Sequence, residues 1–392
     1  MTLHQLQTLP VSYGDPWTKT FTQRQTEFFR GSPRVAYLYE EPDNSTFRYR
    51  VYNMMQALAL SRHGTSASWF QAAEFERIGH VIDACDTVVI CRSRYSASLI
   101  ELILRARRKG KRVLFDVDDL VVDPARIHLI LNTLDQDVFS YTLWDQWFAY
   151  VGRMLATLRA CDGAISTNAF LAGMITDCSG LKCAVIPNFM NREQLEYSEK
   201  IYAEKAARGF SRSGPIHLGY FSGSPTHNKD LGLASSAIIR LLEVDPRLRL
   251  VVVGYMDLQH GLARHADRVE RFPFQDFINL QRLIGGVELN LVPLQDNDFT
   301  NCKSELKYFE AGAVGTVSVA SPTYTYAGSI RHGINGFMAD DCAWEETLAL
   351  AIESLDRSPE LAANARRDSI DRFSWHNFAP LIERTLFDAW ET

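Results

Sequence analysis

Lys303, Lys307 and Glu310, in the stretch NDFTNCKSELKYFEAGAVGTVSVASP (297–322), have the types and spacing of an anion site. Lying four and three residues apart, they fall on one stripe of a helix, with Leu306, Phe309 and Ala313 on the neighbouring apolar face. The pattern predicts a helix over 303–313, starting just past a strand end with Asn301 as its N-cap. The backbone N–H groups of Lys303, Ser304 and Glu305 would then face a cleft, and a helix start of that kind favours anions. A diphosphate suits the arrangement, and Glu310, deeper in the helix, suits a ribose diol. The same spacing also fits an amphipathic helix with a solvated Lys/Lys/Glu face.

Two further loops carry candidate groups. GYFSGSPTHNKDL (219–231) places a tight turn of Gly223, Ser224 and Pro225 after a strand, with His227 and Lys229 beside it. Two lysine-bearing loops at the strand ends of one sheet call for a shared anion. FDVDDLVVDP (115–124) crowds Asp116, Asp118 and Asp119 at another strand end. Their mutual repulsion demands sugar hydroxyls, a cation or a nearby Arg as partner. We assign Asp118 and Asp119 to the cleft; capping of the following helix is the alternative. Arg48 and Arg50 open the first helix, where they meet an acceptor phosphate or form a solvated face.

Strands that alternate with helices must hold these loops. RVAYLYEE, DTVVICRS (86–93), KRVLFDVDD (111–119), DGAISTN (162–168) and CAVIPN (183–188) read as strands, with a helix over Arg48–Leu60. Residues 191–214, rich in Lys, Glu and Arg and ending in GFSRSGP, read as a linker. A second series follows: PIHLGYFSG (215–223), RLRLVVVG (247–254), VELNLVPL (287–294) and TVSVAS (316–321), with helices near 230–243 and 275–284. This alternation implies α/β architecture with two parallel, doubly wound sheets. Ligands in such sheets bind outside the carboxyl ends of the strands.

The chain has 392 residues, 46% of them hydrophobic and 22% charged, which suits two globular domains. A net charge of −6 argues against a nucleic-acid binder, so any basic surface is local. The local excess is RARRKGKR, Arg105 to Arg112, with six cations in eight residues: either an exposed helix end or a patch for anionic lipid headgroups. No apolar run reaches the roughly 20 residues that span a bilayer, and the first residues lack a signal-peptide pattern. Seven scattered cysteines form no metal-binding spacing, in keeping with reduced thiols in a cytoplasmic protein.

The ordered motifs resemble those of retaining GT-B glycosyltransferases of family 4 (group 1). In that family a donor-site helix carries Glu-x7-Glu followed by Ala, small residues, Gly and a hydrophobic strand. The second Glu matches Glu310, while the first falls on Cys302, leaving Glu305 or Asp298 to take its role. The run FTNCKSELKYFEAGA is similar to a subgroup with Lys-Ser-x-Leu-Lys there. Of the family's Gly-Arg-x4-Lys-Gly pattern, Gly223 and Lys229 match, Ser224 stands at the Arg, and Lys303 supplies the missing charge. GYMDL, RFPFQDF (271–277), HGINGFM (332–338) and FSWHNFAP echo later family segments, with backbone groups near Phe272–Phe274 facing the nucleobase. The resemblance covers residues 160–392 closely and 33–125 loosely.

It implies the GT-B fold, two Rossmann-like domains facing a central cleft. Residues 1–200 would form the acceptor-binding domain, with the C-terminal helix 376–392 packing back onto it, and residues 212–375 the nucleotide-sugar donor domain. Implied donor contacts are Gly223, Ser224, His227, Lys229, Phe274, Lys303, Ser304, Glu305, Leu306 and Glu310. The implied catalytic set is Lys229, Lys303, Asp118, Asp119 and Glu305, without a metal or other cofactor. The implied reaction moves a sugar from a nucleoside-diphosphate sugar to a glycan or lipid-linked acceptor with retention, in bacterial surface polysaccharide synthesis. It would take place in the cytoplasm or peripherally at the membrane's inner face. A catalytically silent nucleotide- or glycan-binding relative and a nucleotide-sugar epimerase are the rival readings.

Overall fold

The computed structural model describes residues 6–211, 214–223, 228–255, 261–388 and 390. It contains two six-stranded sheets, parallel throughout. The first is built from β1 (Arg34–Tyr39), β2 (Ser66–Gln71), β3 (Thr87–Cys91), β4 (Arg112–Asp116), β5 (Gly163–Ser166) and β6 (Cys183–Val185). Their spatial order is β2-β1-β3-β4-β5-β6. The second comprises β7 (Ile216–Ser222), β8 (Leu248–Gly254), β9 (Val269–Phe272), β10 (Leu289–Val292), β11 (Val317–Ala320) and β12 (Phe337–Met338), in the order β12-β11-β10-β7-β8-β9. Helices cover both faces, so the central strands are buried; all five residues of β3 and all seven of β7 are. The α/β, doubly wound architecture expected from the alternation is present.

Three strands escaped the sequence reading: β2, β9 and the two-residue edge strand β12. In β2, SASWFQ, small polar residues replace the branched apolar run that marks a buried strand. In β9, VERF, the residues are half-buried or exposed, as an edge position permits.

The linker reading over 191–214 is corrected by a 16-residue helix, Arg192–Ala207. Its charged composition hid a stripe of Tyr197, Ile201 and Lys205, spaced four apart and buried. Asn191 caps it by accepting from Gln194 N at 2.8 Å. Ser198 Oγ accepts from Gln281 of the second domain at 2.7 Å. The segment is therefore a rigid strut between the domains.

Both chain ends cross the boundary. Thr8 O accepts from Arg282 Nε at 2.8 Å, and Trp17, 3% exposed, stacks on Phe277 with ring centroids 6.2 Å apart. The helix Ala379–Phe387 returns to the first domain, where Leu386 O accepts from Thr87 Oγ1 and Arg112 Nη1 at 3.2 and 2.9 Å. Trp390 lies over Gly163 so closely that a Cβ there would sit 2.2 Å from its ring.

Candidate active site

At the carboxyl end of β4 the three aspartates part company. Asp116, 1% exposed, faces inward and holds Arg50 through two bonds of 2.7 and 3.0 Å. Arg50 is fully buried and also donates to Ile186 O at 2.7 Å. Arg48 is 5% exposed and reaches Gln194 and Glu310. Neither arginine is a solvated face, nor is either open to an acceptor phosphate, which corrects both readings. Each buried charge is offset by one carboxylate and by backbone or amide oxygens: Ile186 O and Asn188 for Arg50, Asn44 O and Gln194 for Arg48.

Asp118 and Asp119 turn the other way, and a nearby Arg supplies the partner their crowding demands. Arg92 Nη1 lies 3.0 Å from Asp118 Oδ1 and 3.2 Å from Asp119 Oδ2. Arg92 is held at φ +36°, an unusual left-handed conformation for a residue with a Cβ. Asp118 also accepts from Thr46 Oγ1 at 2.8 Å. Asp119 Oδ1 is 3.5 Å from Lys303 Nζ of the second domain. Burial raises the Asp119 carboxyl, but Lys303 and Arg92 outweigh it and hold the group below the usual carboxylate range.

The helix expected over 303–313 is broken in two. Asn297, not Asn301, is the cap: its side chain accepts from Thr300 N at 3.0 Å and starts a short turn, Asp298–Asn301. Asn301 accepts instead from Tyr324 N at 2.7 Å. The main helix runs Leu306–Ala313, with Glu305 in the cap position but making no capping bond. Lys303 N donates to Thr300 O at 3.0 Å, so this amide is not offered to an anion as the sequence implied.

Cys302 is fully buried in an apolar cluster that also contains Phe115 and Ile130 of the first domain. Asn168 Nδ2 donates to Cys302 O at 2.8 Å, and burial pushes the thiol up to about 12. Asp298 pairs with Arg126 across the boundary. Ser304 and Glu305 are buried, 8% and 7% exposed. Burial raises the Glu305 carboxyl, and its charged neighbours Arg372 and Asp368 come from the helix Ser358–Phe373. Leu306 packs against the apolar core shared by the two domains. Glu310 is 4% exposed, and its Oε1 accepts from Tyr49 OH at 2.6 Å, Gln194 Nε2 at 2.9 Å and Arg48 Nη2 at 3.4 Å. This carboxylate thus ties the helix Leu306–Ala313 to the first domain and to the strut.

At the end of β7, Gly223 is exposed with open space where a Cβ would stand. Ser224 and His227 lie outside the described residues. Lys229 opens the helix Asn228–Val244 and crosses to the first domain, donating to Asn132 O at 2.9 Å and lying 3.4 Å from Asp135. Phe274, 51% exposed, lies beside Tyr255 with ring centroids 6.0 Å apart, past the ends of β8 and β9.

Lysines 229 and 303 therefore both leave the carboxyl end of the second sheet and end on oxygens of the first domain. Near Lys303 is Lys307, whose Nζ sits 5.3 Å over the buried ring of Tyr220. The helical stripe pointed to Lys307, but only burial shows its character. Desolvation lowers it to about 8, with Lys303 pushing the same way and Asp230 and Glu310 opposing. Arg92, Tyr255 and the Asp230–Gln295 pair (3.0 Å) were missed, because isolated residues in separate loops leave no periodic signal. Among the described residues, no cluster of His, Cys, Asp and Glu could hold a metal ion.

A lysine with a folded-state value near 8 is charged below that pH and neutral above it, and an anionic ligand binds the charged form. Affinity for an anion held by Lys307 is therefore expected to weaken as pH rises through about 8. Lys307→Arg should flatten that limb in a calorimetric titration. Matching pH profiles for the two proteins would exclude Lys307 from anion binding.

Residues 216–357 match the family model described as "Glycosyl transferases group 1". No curated protein matches the chain. Among solved structures, HepE of Anabaena with UDP is similar over 90% of this chain and 99% of its own, at 14% identity and a TM-score of 0.57. Sucrose-phosphate synthase of Thermosynechococcus elongatus covers 91% and 99%, at 16% identity and a TM-score of 0.58. A glycosyltransferase of Rickettsia africae covers the same shares, at 13% identity and a TM-score of 0.58. The second domain thus carries the group 1 glycosyl transferase pattern, the whole chain has the GT-B fold, and the two together support a glycosyltransferase.

Proposed function

We propose that this protein is a retaining, metal-independent glycosyltransferase of family 4 that uses a nucleoside-diphosphate sugar and a glycan or glycolipid acceptor. The observation that carries the reading is the set Lys229, Lys303 and Lys307 at the carboxyl end of one sheet, inside the stretch matching group 1 glycosyl transferases. Three cations so placed suit a pyrophosphate leaving group, whose developing charge they would stabilise. The diphosphate competes with Asp119 and Asp135 for two of them, so donor entry loosens bonds between the domains. The exposed Tyr255–Phe274 pair offers the base an aromatic surface. HepE is solved with UDP and with UDP-glucose, which favours a uridine donor here as well. A role in bacterial surface polysaccharide synthesis, in the cytoplasm or at the inner membrane face, fits such chemistry. No described helix is long and apolar enough to cross a membrane.

One observation favours a second reading. With Cys302 buried where the family places a sugar-contacting Glu, the chain would bind a nucleotide without transferring sugar. Thermal shifts with UDP, GDP and ADP test the common part: a ligand at 100 times its dissociation constant adds about 2.7 kcal/mol. Release of UDP from UDP-sugars then separates enzyme from silent binder. No shift with any diphosphate would sink both.

A further inference from the structure

The helix Tyr141–Arg159 and the loop before it carry aromatic side chains that the fold does not use. Phe139 and Tyr141 are 88% and 87% exposed, and Val138 and Phe148 are exposed beside them. Tyr141, Trp144 and Phe148 follow one another at helical spacing on one face. Trp144 and Phe148 stack with ring centroids 6.0 Å apart and planes 29° off parallel. Two indoles fix the ledge in place: Trp144 Nε1 donates to Val138 O at 2.9 Å, and Trp147 Nε1 to Gln136 Oε1 at 2.7 Å. A contiguous exposed apolar surface of this kind marks a binding site.

We infer that this ledge binds an uncharged, hydroxyl-rich glycan, the distal part of the acceptor chain. The inference rests on the glycosyltransferase reading and names its acceptor class. Charge decides the occupant. Residues 127–152 contain Asp135, Asp137 and Asp145 and no Lys or Arg. Interfacial membrane helices are rich in cations, and with Asp135 paired to Lys229 the carboxylates of Asp137 and Asp145 repel anionic headgroups and polyanionic glycans alike. Sugar rings present C–H faces to aromatic planes, and their hydroxyls donate to carboxylates and amides such as Asp137, Asp145 and Gln146.

The ledge is also continuous with the candidate active site. At its start, Asn132 and Asp135 meet Lys229 of the donor domain. On the opposite face of the helix, Tyr150 OH accepts from Arg92 Nε at 3.4 Å, which fixes the helix beside Asp118 and Asp119. From Tyr141 to Phe148 the ledge extends about 10 Å, enough for more than one sugar ring.

The test is affinity electrophoresis of the full chain through gels containing dextran, galactomannan or polygalacturonate, beside cosedimentation with phosphatidylglycerol vesicles. At least one neutral polysaccharide should retard the wild type. The triple variant Phe139→Ala, Tyr141→Ala, Phe148→Ala should bind it roughly tenfold more weakly or less, with an unchanged melting temperature. Undiminished retardation of the variant, or no retardation by either neutral polymer, overturns the inference. So does vesicle binding that the triple variant loses, or a dimer that it dissolves. UDP thermal shifts on the same proteins keep the two questions apart, since loss of the donor shift in wild type would sink the enzyme reading while leaving the ledge measurement intact.

Discussion

Glu310→Ala is expected to destabilise the protein by about 3–5 kcal/mol in addition to abolishing donor binding, because it strands the Arg48 charge in a closed boundary. Arg48 and Glu310 are 5% and 4% exposed, so water cannot replace the lost partner. Tyr49 OH would also lose its 2.6 Å acceptor. A bare alanine substitution would therefore confuse a folding defect with a ligand defect. The informative comparison is Arg48→Met against Arg48→Met with Glu310→Gln. The single variant leaves the Glu310 carboxylate buried without its cation, whereas the double variant leaves no charge there and its amide still accepts from Tyr49. Denaturant melts should show the double variant recovering most of the stability that Glu310→Ala loses, by the non-additivity expected of residues in contact. Calorimetry should still show UDP binding weakened in the double variant. Equal UDP affinity in the two Arg48→Met backgrounds would make Glu310 a purely structural residue and exclude the ribose contact that the sequence suggested.

Lys303→Met should lower kcat/KM for sugar transfer by about 10²–10³, the usual cost of removing one charge-stabilising donor from a preorganised site. Its effect on stability should stay below about 1 kcal/mol. Lys303 Nζ lies 3.5 Å from Asp119 with a side chain 21% exposed, and Asp119 keeps Arg92 as a second partner at 3.2 Å. The methionine also retains the contact with Phe299, over whose ring the ammonium now sits at 4.6 Å. Initial rates of UDP release, read beside melting temperatures, check both statements. A variant with wild-type turnover would show that the Asp119 bridge is the whole role of this lysine.

These two residues also show how far the sequence could be read. Lys303 and Glu310 stood out because helical spacing placed them on one stripe, but only Lys307 and Glu310 share the helix Leu306–Ala313, and Lys303 lies in the break before it. Periodicity, however, does not say what the stripe faces. Glu310 was expected to await a ribose; Tyr49, Gln194 and Arg48, which fill its Oε1, lie at least 116 positions away in sequence. The charged run 191–214 read as a linker for the same reason. Its buried stripe faces Gln281 and Glu310 of a domain that the local composition cannot see.

By itself, the order of apolar strands and amphipathic helices determined that this chain forms two parallel α/β domains, and that lysines, aspartates and a small-residue turn collect at their carboxyl strand ends. Short-range periodicity and turn chemistry encode that much. Only the tertiary structure decided which of those charges are consumed. Asp116 and Arg50 neutralise one another in the interior, while Asp118, Asp119, Arg92 and Lys303 join across the boundary. The physical reason is that a charge's partner and its solvent exposure depend on how two separately folded sheets dock, and no residue spacing within either sheet records that docking.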